Sequence, residues 1–152
     1  MLKEGDLAPS FTLVSDNGKI SIADLKGKNV VLYFYPKDDT PGCTIEAQDF
    51  TANIKKFIDR DCIVLGVSQD SIDSHCKFIS KYKLAFNLLS DVDGKVCQQY
   101  GVIKEKSMFG KKYFGIDRST FLINKVGRVA KIWRSVKVNG HVLEIIAELA
   151  KI

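Results

Sequence analysis

The spacing of apolar residues changes several times along this chain, and each change predicts an element. Residues 11–14 and 19–22 read as the arms of a hairpin around Asp16-Asn17-Gly18, where Asn-Gly supplies the positive φ angles of a tight turn. Residues 29–35 are almost all β-branched or aromatic, the pattern of a central strand buried on both faces. Over 43–59 the period becomes helical, with Phe50, Ile54, Phe57 and Ile58 on one side. Residues 62–68 read as a second buried strand. Residues 71–83 read as a second helix, capped by Asp70 and carrying Ile72, Cys76 and Ile79 on one apolar stripe. A weaker strand at 86–89 and a short helix at 94–100, stopped by Gly101, come next. Strands at 119–123 and 128–133, joined by a turn at 124–127, and a last helix over 141–151 complete the pattern. Strands alternating with helices predict an α/β fold: a central mixed sheet flanked by helices, with an N-terminal β-hairpin. With no repeats and no linker rich in Pro, Gly or Ser, residues 1–152 are expected to form a single domain.

Composition narrows the class. At 152 residues with 45% apolar and 27% charged, the chain can bury a core without disulfides or metal. Four cysteines are too few for a disulfide scaffold, no apolar run approaches a membrane span, and the first residues lack the apolar centre of a secretory signal. A cytoplasmic protein with reduced thiols is the expectation. The net charge of +5 is uneven: residues 104–137 hold 10 Lys/Arg against 2 Asp/Glu, whereas residues 1–103 hold 12 against 14. Such a basic stretch suits an anionic substrate, an acidic partner, nucleic acid or only a solvated sheet face.

The candidate chemistry follows the first buried strand. Tyr35-Pro36-Lys37-Asp38-Asp39-Thr40-Pro41-Gly42-Cys43-Thr44 is polar, kinked by two prolines, and delivers Cys43 to the start of a helix. Open α/β sheets bind ligands beyond the carboxyl ends of their strands. A cysteine in a helix's first turn meets unpaired N–H groups and the positive end of the dipole, both of which favour the nucleophilic thiolate. A Cys-x-x-Cys redox pair is missing, since the cysteines fall at 43, 62, 76 and 97. Closely spaced zinc ligands are missing too, and His75 beside Cys76 points elsewhere on a helix, so no metal is expected. His141, at the start of the last helix, is expected at the surface.

Pro36-x-x-x-Thr40-x-x-Cys43 resembles the active-site signature of the peroxiredoxins. The longer string from Tyr35 to Ala47 resembles that of their bacterioferritin comigratory protein, or Q-type, subfamily. Residues 104–111 resemble the subfamily's loop, and Gly115-Ile116-Asp117-Arg118-Ser119-Thr120-Phe121-Leu122-Ile123 its arginine-bearing strand. The likeness runs essentially end to end. It implies a thioredoxin-like fold and a thiol peroxidase reducing hydrogen peroxide and organic hydroperoxides, with no cofactor. Cys43 would be the nucleophile and Thr40 would offer its hydroxyl to the peroxide. Arg118 would support the thiolate and the leaving oxygen, and Pro36 would shape the loop and shield the thiolate from water. Glu46 also matches the subfamily pattern. Thioredoxin or a similar dithiol protein would be the reductant and the protein a monomer.

This chain departs from many subfamily members at one point. The resolving cysteine they carry five residues after the nucleophile is Gln48 here, which cannot form a disulfide. Cys62 and Cys97 read as core residues. Cys76 lies on the helix where some members place a resolving cysteine, about one turn before that position. Two routes stay open: Cys76 resolves the sulfenic acid as an intramolecular disulfide, or an external thiol does so in a single-cysteine cycle. A nucleic-acid-binding module, suggested by the basic stretch, is the reading from another class; no recognition helix or aromatic RNA-binding signature supports it.

Overall fold

The computed structural model describes residues 1–152, and its centre is the strand that the sequence marks most strongly. In chain order the elements are β1 (Thr12–Ser15), β2 (Gly18–Ser21), a 3-10 turn (Ile22–Leu25), β3 (Asn29–Phe34), α1 (Pro41–Ala52), α2 (Ile54–Ile58) and β4 (Cys62–Ser68). They continue with α3 (Ile72–Tyr82), β5 (Asn87–Ser90), α4 (Lys95–Gln99), β6 (Ile103–Met108), β7 (Lys111–Ile116), β8 (Ser119–Ile123), β9 (Val129–Trp133) and α5 (His141–Leu149). Seven strands form one mixed sheet in the order β2-β1-β5-β4-β3-β8-β9. The β3–β4 and β4–β5 pairs are parallel, while β3–β8, β8–β9 and β1–β5 are antiparallel.

Every residue of β3 is buried, because the sheet has a core on each side. Val31, Tyr33 and Tyr35 face one core with Phe50, Phe57, Phe78 and Ile145, where Tyr33 stacks on Phe50 at 4.6 Å between ring centres. Val30, Leu32 and Phe34 face the other, with Phe11, Tyr100 and Phe121. Gly66 of β4 is dictated by this packing. A Cβ there would lie 2.7 Å from Leu88 Cδ2 and 3.0 Å from the Tyr33 hydroxyl.

Several local expectations change. The helix expected over 43–59 is two helices, interrupted at Asn53, whose amide side chain donates to the Asp49 carbonyl at 2.9 Å and competes with the next turn. In the first hairpin Gly18 alone takes a positive φ, +91°, so Asn17 is not left-handed. Ser71, not Asp70, caps α3: its hydroxyl accepts from the Ser74 N–H, while Asp70 turns inward to bond Asp38 and Ser68. The buried face of α3 carries His75 and Phe78, and Cys76 is exposed rather than on an apolar stripe. Residues 104–111, expected as a loop, lie mostly in strands: β6 and β7 form a two-stranded sheet of their own.

Candidate active site

Cys43 is the third residue of α1, just beyond the carboxyl end of β3. Thr40 is the N-cap in extended conformation, and Pro41 starts the helix, where its missing N–H costs nothing. The Cys43 thiol is buried at the helix N-terminus. Arg118 reaches it from the residue before β8, and the antiparallel β3–β8 pairing (Phe34 opposite Ser119) brings the two segments together. Nη2 of Arg118 donates to Cys43 Sγ at 3.4 Å, and Nη1 donates to Glu46 Oε1 at 2.7 Å. Gly42 makes room for that approach, since a Cβ there would meet Nη2 at 3.2 Å.

Glu46 lies one turn after Cys43 and is fully buried, and its Oε2 has no hydrogen-bond partner. Burial pushes its carboxyl up to about 7, against the restraining attraction of Arg118. Burial also works against the Arg118 charge, but Glu46 and Cys43 outweigh it and hold the guanidinium above its ordinary value. Lys106 of β6 extends the positive surroundings: its ammonium bonds the Ile116 carbonyl, and burial and Arg118 lower it while Asp117 and Cys43 raise it, for a net downward shift.

The Thr40 hydroxyl donates to the Lys37 carbonyl at 2.9 Å, leaving its oxygen lone pairs as acceptors. Pro36 stands exposed at the start of the same loop. The structure thus brings Cys43, Thr40 and Arg118 to one end of the sheet, with Pro36 at the loop's outer edge. Cys76 sits apart on the surface of α3, and all four thiols are free. Cys62 and Cys97 are buried as expected. Burial pushes the Cys62 thiol up to about 12; burial, then Asp91, raises that of Cys97 further.

Both histidines are buried, which for His141 reverses the expectation. His141 is buried, not at the surface: its Nε2 pairs with Thr120 Oγ1 at 2.8 Å and its ring stands edge-on to Trp133. Burial, helped by Arg118, lowers it to about 4. His75 is fully buried against Asp38. Asp38, Asp70 and His75 place possible metal-ligand atoms within 4.8 Å of one another. Those atoms are taken by protein partners, including Tyr35, Ser74, Ser68 and the Leu89 carbonyl. No sequence signal marked these histidines, because a lone histidine in a helical pattern looks the same buried or exposed.

A nucleophile-bearing helix start, a charged arginine aimed at its sulfur and a buried carboxyl behind it suit attack by a thiolate on a small electrophile. Residues 5–132 match the AhpC/TSA family. The chain is 49% identical to peroxiredoxin Bcp of Bacillus subtilis, covering 95% of this chain and 93% of that one. Among solved structures it resembles the bacterioferritin comigratory protein of Xanthomonas campestris, studied for alkyl peroxide reduction. The TM-score is 0.89 at 44% identity, over 93% of this chain and 90% of that one. It also resembles PrxQ of Xylella fastidiosa, with a TM-score of 0.94 at 38% identity over 99% and 97% of the two chains. By sequence and by fold, then, this chain belongs to the AhpC/TSA family as a peroxiredoxin of the Bcp, or Q-type, group, a thiol peroxidase.

Proposed function

We propose that Cys43 is the peroxidatic nucleophile and that Cys76 resolves its sulfenic acid, with thioredoxin or a similar dithiol protein closing the cycle. The observation that carries the first part is the Arg118 N–H aimed at Cys43 Sγ from 3.4 Å. The sulfur attacks the terminal oxygen of ROOH, the O–O bond breaks, and the proton balance leaves ROH and Cys43–SOH. Arg118 stabilises the negative sulfur before attack and the oxygen charge that grows as the bond breaks. Thr40 can accept from the hydroperoxide O–H and so align it, while Pro36 keeps the loop in the shape that allows this. The Cys43 sulfenic acid then condenses with the Cys76 thiol, forming one S–S bond and releasing water.

The exposure of Cys76 supports its part. A thiol packed in the core would be a poor partner, whereas this one is open to a sulfur and then to a reductant. Cys43 is buried, so pairing requires a local rearrangement that brings the two Cα atoms within about 7 Å. The protein is proposed to work as a monomer, apart from membranes and nucleic acid, in the cytoplasm. No helix is long and apolar enough to cross a membrane.

The test is a mass map under non-reducing conditions after one equivalent of peroxide, beside turnover with reduced thioredoxin. A Cys43–Cys76 linkage and loss of turnover in Cys43→Ser are expected. A persistent sulfenic acid on Cys43 with no linkage would replace Cys76 with an external thiol. Turnover surviving in Cys43→Ser would remove Cys43 from the reaction.

A further inference from the structure

The loop carrying the site is fastened to α3 by a buried polar network outside the peroxide-binding residues. Asp38 is the fastening point, buried with its carboxylate accepting three bonds. Tyr35 OH donates to Oδ1 at 2.5 Å, Ser74 Oγ donates to Oδ2 at 2.7 Å, and His75 Nδ1 lies 2.7 Å from Oδ2. The Asp38 N–H is held as well, donating to Asp70 Oδ2 at 2.8 Å. His75 is itself immobilised from the other side, since its Nε2 lies 2.9 Å from the Leu89 carbonyl of β5. Thus the loop after β3 is tied to β4 (Ser68, through Asp70), β5 and α3 in one knot, two residues before Thr40 and one residue before Cys76. Asp39 adds an outer stitch to Lys81 and Tyr82, at 2.8 and 2.7 Å, which is exposed and therefore weaker.

We propose that the Asp38–His75 pair is the positioning device of this peroxidase. It holds the loop with Thr40 against α3 for the peroxide step, and keeps Cys76 on the outer face of its helix until Cys43 is oxidised. Neither residue touches the sulfur. Asp38 acts through the four residues that separate it from Cys43, and His75 acts by fixing the helical turn that presents Cys76. A buried pair whose atoms are all bonded resists the movement that disulfide formation requires, and the same resistance gives the loop one geometry. Loosening the pair therefore slows attack on peroxide and speeds capture by Cys76. The second effect rests on Cys76 being the resolving thiol; the first does not.

Two replacements of His75 separate positioning from simple structural support. In His75→Asn the amide nitrogen occupies the place of Nδ1 and keeps the bond to Asp38; in His75→Gln it occupies the place of Nε2 and keeps only the bond to Leu89. Rapid mixing gives the rate of sulfenic acid formation, and intact mass gives the ratio of disulfide to sulfinic acid at excess peroxide. His75→Gln is expected to slow the peroxide step about tenfold and raise the disulfide-to-sulfinic ratio severalfold, whereas His75→Asn stays within about twofold of wild type. Ser74→Ala, a milder change, should move both readouts the same way by a smaller factor. Equal behaviour of the Asn and Gln variants on both readouts, with both melting lower and Ser74→Ala unchanged, would overturn the proposal. Cys76→Ser in each background identifies which half has failed. If it leaves the wild-type mass profile unaltered, the effect on capture is lost while the peroxide rate still tests the pair.

Discussion

Arg118 divides its guanidinium between the Cys43 thiol, which it is proposed to activate, and a carboxyl that it only partly keeps charged. That division requires a planar fork, so Arg118→Lys should lower the second-order rate with peroxide by about 10²–10³ while leaving the fold intact, measured by competition or rapid mixing. Glu46 bonds this arginine and His141 feels its charge, and the two have opposite pH signatures. The Glu46 carboxyl, pushed up to about 7 by burial, gives stability that is complete below about 4.5 and lost as pH rises through 7. His141, lowered to about 4 by burial, gives stability that is complete above about 6.5 and lost as pH falls through 4. The two contributions oppose each other over the same window, each amounting to about 3 kcal/mol. Urea unfolding across pH 4–8 should therefore tilt one way in Glu46→Gln, which becomes less stable towards acid relative to wild type. It should tilt the other way in His141→Asn, which becomes relatively less stable towards neutral pH. The family strings marked the segments that carry Thr40 and Arg118, and the place of Cys43 at a helix start beyond a buried strand was legible in the sequence. The burial of His141 and His75 was not, since it depends on partners 21 and 37 residues away.

Elements with one wet and one dry face, or two dry faces, announce themselves by their period. The central strands and the last helix fall within a residue or two of the sequence reading for that reason. The β6–β7 hairpin announces nothing, because most of both its faces are in water and its lysines interrupt any alternation. Its tip is unusual: Phe109 is 98% exposed at φ +52°, followed by Gly110 at φ +78°. Two positive φ angles make a tight hairpin turn that suits Asn-Gly, and an aromatic residue is strained there without burying anything. Phe109→Asn should accordingly raise stability by about 0.5–1 kcal/mol, seen as a higher denaturation midpoint with unchanged slope. The opposite outcome is expected where a glycine is enforced by packing. Gly66→Ala drives a methyl into Leu88 and Tyr33 and should destabilise by about 1–3 kcal/mol.

At the scale of the whole molecule the charge of +5 is a local matter, concentrated in the segment that leads to and follows Arg118. Arg118 and Lys106 put the part of that charge that matters beside the thiol, while Lys125 and Arg128 lie at the far end of β3. An anionic hydroperoxide should thus react with a rate that falls as ionic strength rises from 0.01 to 0.15 M, about the range over which the screening length shortens from 30 to 8 Å. A neutral alkyl hydroperoxide should show no such slope, and equal slopes for the two would exclude steering. The assembly of the site from segments 75 residues apart also has a consequence for a chain still on the ribosome. Cys43 emerges with β3, but Arg118 belongs to the last quarter of the chain, and synthesis at about 5–20 residues per second leaves an interval of about 4–15 seconds between them. During that interval the cysteine lacks the guanidinium that faces it in the folded protein. On the proposed roles of Cys43 and Arg118, nascent chains are expected to escape the irreversible oxidation that an early-activated sulfur would invite, and the sulfur to become reactive only when β8 closes onto β3.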